Sequence, residues 1–175
     1  MLQRVMNFFV RPIASPEVAA LYGVCVTQAR QPIFYTTLEA PDTVYGRFDL
    51  LILHVLLVIQ RLRPYTKQTQ QLFDILFADT DKNLRELGVS DISIARKMKP
   101  MLSAFYGRAK VYEEALGKSD ASLAEALRRN IYGDLPVEEE TAQRLAAYIR
   151  DAHIMLAAQN TEDILAGRMS FPVVA

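Results

Sequence analysis

Two histidines, one cysteine and twenty carboxylates are the groups in this 175-residue chain that could do acid–base or metal chemistry. Their spacing argues against most of it. His54 and His153 are isolated: no His-Glu-x-x-His, no Glu-x-x-His pair and no second cysteine is present to complete a metal set. Asp79-x-Asp81-x-Asn83 resembles the opening of a calcium loop, but Leu84 stands where that loop needs glycine and Ser90 where it needs a bidentate glutamate. The segment reads better as the solvated face of a helix. Gly46-Arg47 and Gly107-Arg108 are lone glycines rather than a phosphate-cradling loop. No carboxylate pair has a setting that suggests general acid and base. The expectation is a protein that is not an enzyme and carries no cofactor or metal. His54, inside an otherwise apolar run, is either a core histidine bonded to a carbonyl or carboxylate, or the ligand of a helical haem- or metal-binding protein; the first is the expected one. Cys25 shares helical spacing with Val18, Leu21, Tyr22 and Ala29 and reads as a buried small hydrophobe.

What remains is surface. Basic and acidic residues balance at 20 each, which argues against a specific nucleic-acid binder. The balance hides a split: from Lys82 to Tyr112 there are seven basic against two acidic side chains, and from Glu113 onward six against eleven. A basic centre and an acidic carboxyl end make the molecule dipolar. Arg96, Lys99, Ser103, Gly107 and Lys110 follow at steps of three or four, forming a basic stripe on one helix face, with Arg85 and Lys97 nearby. That stripe is either an ordinary solvated face or a contact surface. Phe34, Tyr35, Phe48, Phe105 and Tyr106 supply aromatics beside Arg30, Arg47 and Arg108. Such groups anchor protein interfaces, and they equally fill cores.

The elements that would position these groups are helices. Half the chain is apolar, enough for one ordinary core. Leu2, Val5, Met6 and Phe9 form an amphipathic arm within residues 1–14, either packed on the body or lying on a membrane. Ser15-Pro16-Glu17 is a helix start, and that helix should run to about Arg30. Residues 33 to 41 read as a loop or short turn. Asp42 or Thr43 opens a helix in which, from Leu50 to Ile59, only His54 is not apolar. Ten apolar positions fall short of the ~20 needed to cross a bilayer, so this is the expected central helix of a globular domain. A third helix should cover about Thr66 to Leu87, with Gly88 as a left-handed stop and Val89 folding back on Leu84. Ser93 should cap a fourth, from Ile94 to about Leu116, kinked or broken at Pro100. Helices from about Ala121 to Tyr132 and Val137 to Ala158 follow, Thr161 caps a last short turn, and residues 169–175 form a tail, free or docked. The expected fold is all-α: one compact domain of six or seven helices over residues 15–168. The amino terminus has neither a signal-peptide nor a transit-peptide pattern.

The string from Pro41 to Arg63, PDTVYGRFDLLILHVLLVIQRLR, preceded by QARQPIFY and followed by the segment from Leu76 to Ala109, resembles the ubiquinol–cytochrome c chaperone family. The likeness runs from about Tyr22 to Tyr132. Its boxes are Arg30 to Tyr35, Gly46 to Asp49, Asp79 to Glu86, and Phe105 to Arg108. The resemblance implies a chaperone that holds newly synthesised cytochrome b for the assembling ubiquinol–cytochrome c reductase complex. It further implies a ribosome or a small co-chaperone as partner. The single cysteine and the missing signal-peptide pattern lead to the expectation of a cytoplasmic setting, peripheral to the inner membrane, or of the mitochondrial matrix in a eukaryote. The residues that would then meet client or partner are Arg30, Phe34, Tyr35, Arg47, Phe48, Phe105, Tyr106 and Arg108, with Arg85, Arg96, Lys97, Lys99 and Lys110 on the basic segment. A generic helical adaptor domain is the remaining alternative.

Overall fold

The Ser15 hydroxyl accepts from the Val18 amide and opens α1, Pro16–Ala29, as its sequence requires. In this computed structural model, which describes residues 14–174, seven further helices follow. They are α2 (Ile33–Thr36), α3 (Val44–Arg61), α4 (Thr66–Glu86), α5 (Asp91–Leu116), α6 (Asp120–Leu127), α7 (Glu139–Ala158) and α8 (Thr161–Leu165), with a π-helical turn at Arg128–Tyr132 after α6. Among the described residues there is no strand. The expected arm at residues 1–14 lies outside the described residues, Ala14 excepted.

The greasy helix is central. Every residue from Ile52 to Val58 on α3 is buried, and α3 packs against α1, α4, α5, α7 and the π turn. A helix apolar on all sides needs neighbours on all sides, and the chain supplies them. α4 stops as expected: Gly88 takes φ +81°, its amide bonds to the Arg85 carbonyl, and the Val89 amide reaches the Leu84 carbonyl at 3.0 Å.

Three local expectations need correction. α5 begins at Asp91 after Ser90, not after a Ser93 cap, so the turn from α4 is tighter than expected. α5 also runs unbroken through Pro100. Pro100 is exposed, and a packed stripe of Ile94, Met101, Phe105 and Tyr112 holds both halves in one helix despite the missing donor. Asn160, not Thr161, caps α8, its Oδ1 accepting from the Glu162 and Asp163 amides. The short turn expected within residues 33 to 41 is one helical turn, Ile33–Thr36.

Two arginines close helix ends across the fold. Arg61 donates to the Leu156 and Gln159 carbonyls, at 2.9 and 3.0 Å, and to the Thr161 hydroxyl. It therefore satisfies the end of α7, whereas its position at the end of α3 suggested a role in its own helix. Arg150 does the same for α5, donating to the Leu116 and Lys118 carbonyls while pairing with Asp120 at 2.9 Å. The tail is docked: Phe171 and Val174 are buried.

Candidate partner-binding surface

His54 is fully enclosed and satisfied. A carbonyl can only accept, so the 2.7 Å contact with Leu50 O places the proton on Nδ1. Nε2 then accepts from the Tyr148 hydroxyl at 2.8 Å, and that hydroxyl accepts from Gln28 Nε2 at 3.0 Å. Gln28 Nε2 also reaches the Pro172 carbonyl at 3.3 Å. One network thus joins α1, α3, α7 and the tail, with Phe34 and Phe171 edge-on to the imidazole at 5.4 and 5.1 Å. Burial pushes the His54 pKa down to about 4, against a smaller opposing effect of the Leu50 bond. Burial likewise pushes the Cys25 thiol up. Both groups belong to the core.

The aromatic–arginine boxes divide between core and surface. Phe34, Phe48 and Phe105 are buried; Phe34 and Phe105 support a surface rather than form one, while Phe48 shows an edge to a groove at Arg30 and Arg47. Phe48 packs on Phe77, which packs on Phe73 and Phe105, joining α3, α4 and α5. Arg108 is tied down by Asp49 of α3 at 2.9 Å. Arg85 is exposed, yet it pairs with Asp81 at 2.7 Å and with Asp91 across the α4–α5 turn. Arg30, Arg47, Arg96, Lys99, Tyr106 and Lys110 are exposed. Lys97 is half-buried, its ammonium 5.8 Å from the centre of the exposed Tyr45 ring.

Arg30 and Arg47 meet at a groove of about 470 Å³ between the end of α1, the start of α3, the second half of α4 and Met101 of α5. Val26, Ala29, Phe48, Leu51, Leu84 and Met101 give it an apolar lining. Its charged groups are Arg30, Asp42, Arg47, Asp79 and Glu86, and Val44 and Leu87 are exposed apolar side chains beside them. The start of α3 is built tightly. Thr43 caps it by accepting from the Gly46 amide at 3.0 Å, and a Cβ on Gly46 would stand 2.0 Å from the Pro41 carbonyl oxygen. This lets Asp42 sit beside Arg47, Nε to Oδ1 2.5 Å, with the guanidinium 5.8 Å from the centre of the Tyr35 ring. Arg47 holds the Asp42 carboxyl below the usual range. Tyr35 is fixed in turn by donating to the Ala29 carbonyl at 2.8 Å. On the far wall, Asp79 accepts from the Tyr22 hydroxyl at 2.8 Å.

Of the expected contact residues, the structure gathers Arg30, Tyr35, Arg47 and Phe48 at this groove, while Arg96, Lys99, Tyr106 and Lys110 share the outer face of α5. Sequence reasoning missed Val44, Leu51, Leu87 and Met101. A lone apolar residue at a helix end, such as Val44 or Leu87, was the only available sign. Met101 carried none, because it belongs to the apolar stripe of α5.

The family model described as Ubiquinol-cytochrome C chaperone matches residues 36–171. The chain belongs to this family. A solved member of similar fold, the Cbp3 homolog from Brucella abortus, is 34% identical, with 99% of this chain and 98% of that one covered and a TM-score of 0.82. Ubiquinol-cytochrome c reductase complex assembly factor 1 of Mus musculus is 26% identical over 155 residues, 85% of this chain and 52% of that protein. The mitochondrial protein CBP3 of Saccharomyces cerevisiae is 26% identical over 146 residues, 79% of this chain and 44% of that protein. The chain therefore spans about half the length of these two relatives. Among the described residues of this chaperone-family chain, no helix is long and apolar enough to cross a membrane.

Proposed function

We propose that the protein is an assembly chaperone of the ubiquinol–cytochrome c reductase complex and that its client is newly synthesised cytochrome b. The family match over residues 36–171 carries this reading, because it includes the α3, α4 and α5 walls of the groove. The groove fits such a client. A polytopic membrane protein emerging from synthesis presents apolar helices with Lys/Arg-rich flanks. An apolar lining can cover a few exposed side chains, and Asp42, Asp79 and Glu86 stand where basic flanks would lie. Binding of this kind shields apolar surface and needs no covalent step, so we read the protein as a non-enzyme. A ribosome or a small co-chaperone would be a further partner, met on the side of the inner membrane where the client emerges.

The rival, a haem or metal protein ligated through His54, is disfavoured because both ring nitrogens are already bonded. A generic adaptor differs only in its partner.

The test is affinity capture from source membranes with tagged protein, paired with a Val44→Arg/Glu86→Arg variant whose circular dichroism and melting match the parent. The parent should retrieve cytochrome b; the variant should not, and assembled complex should fall in cells carrying it. A parent that retrieves no cytochrome b from cells actively assembling the complex would refute the client. Retrieval of a different, reproducible partner would favour the adaptor.

A further inference from the structure

Ile92, Arg96, Lys99, Ser103, Tyr106 and Lys110 follow one another along α5 at steps of four and three, and every one is exposed. They form a single outward face of a 26-residue helix whose opposite face is buried by Ile94, Met101, Phe105 and Tyr112. From Ile92 to Lys110 the chain contains no carboxylate. Among the described residues, neither Arg96 nor Lys99 is paired with one; Lys110 has a distant partner in Glu114, at 3.9 Å. Apolar groups stand in the same surface. Ile92 is 81% exposed and Tyr106 57%.

We infer that this face of α5 rests on an anionic lipid surface, with Ile92 entering the interfacial region and Tyr106 lying at headgroup level. The helix is long enough to lie in the plane of a membrane, Ile92 and Tyr106 being about 21 Å apart along its axis. Cations beside apolar groups are the combination that holds a surface helix at an anionic interface, and tyrosine favours that depth. A polynucleotide is a poorer fit: Ile92 offers nothing to a phosphate backbone. None of these residues lines the groove, so the protein could rest on the bilayer while a client occupies the groove. The inference does not depend on which client that is.

The chain has no tryptophan, so Ile92→Trp places a single reporter on the full-length protein, with Ile154→Trp on α7 as a comparison. Against vesicles of phosphatidylcholine with about 30 mol% phosphatidylglycerol, the Ile92→Trp emission should shift to the blue and Ile154→Trp should not. Binding should weaken as salt rises and be lost on pure phosphatidylcholine. Arg96→Gln/Lys99→Gln/Lys110→Gln should weaken vesicle binding at least about tenfold. Ile92→Ser should weaken it at unchanged charge, each variant keeping the parent's circular dichroism and melting. Failure of the parent to bind anionic vesicles would overturn the inference, whether or not RNA binds. So would binding that survives both variants with no shift at Ile92→Trp, which would assign the contact to another part of the chain.

Discussion

Arg108 and Asp49 meet through two bonds between α5 and α3, Nη1 to Oδ1 at 2.9 Å and Nη2 to Oδ2 at 3.0 Å, with side chains only 15% and 14% exposed. Nη2 also approaches the Asn130 carbonyl at 3.4 Å, so the guanidinium bridges three parts of the fold. An arginine that reads in sequence as an interface anchor is here a clamp. Burial pushes the Asp49 carboxyl up to about 6, and Arg108 draws it back toward the charged form.

Removing one partner should therefore cost more than removing both. Arg108→Met or Asp49→Leu leaves a charge enclosed without its counterion, with an expected loss of about 3 kcal/mol. The double variant should lose clearly less than the sum. Urea denaturation of the four proteins gives the coupling; strict additivity would mean that the pair is not a unit.

His54 should make stability fall with acid. Its folded pKa of about 4 lies below the unfolded value near 6.5, so the unfolded chain takes up the proton first. This contribution is intact above the unfolded value and is lost as pH falls from about 6.5 toward 4, amounting to about 2 kcal/mol at pH 5. Asp49, shifted upward, acts in the opposite sense between its unfolded and folded values, so the comparison must be with His54→Gln. That variant should be less stable at pH 7, where it loses the Tyr148 bond, and the gap should narrow toward pH 5. A gap constant with pH would show that His54 titrates normally.

Two glycines on neighbouring helices should respond oppositely to alanine. At Gly46 the added methyl meets the Pro41 carbonyl oxygen at 2.0 Å, so the cap of α3 must open; we expect a loss of about 1–3 kcal/mol. At Gly23, inside α1, nothing stands within 4 Å, and alanine should stabilise by up to about 1 kcal/mol. Thermal melting of both variants checks the pair.

Pro100 sits on the exposed side of an unbroken α5 and denies a donor to the Arg96 carbonyl. Pro100→Ala restores that bond and should raise stability by about 1–3 kcal/mol. A neutral or destabilising result in urea denaturation would mean that proline suits the helix at this point.

The sequence by itself determined the helices and the identity of the centre. Ser15, Thr43 and Gly88 marked boundaries correctly because caps and left-handed stops act through bonds a few residues long. The apolar run around His54 could only be central, since burying a helix on every side requires neighbours on every side. The boxes that resemble the chaperone family were legible for the same reason: they are contiguous strings. Tertiary structure decided what each boxed residue does. Phe34, Phe48 and Phe105 turned inward, Arg108 found Asp49, and Arg61 closed a helix other than its own. Period and spacing place a side chain on a face but do not say which helix that face will meet. Pro100 shows the same limit in energetic form. Its local preference is to break a helix, and the packed stripe on either side of it, a long-range contribution, prevails. The groove beside Arg30 and Arg47 exists only because four elements distant in sequence converge, so no local pattern could have announced it.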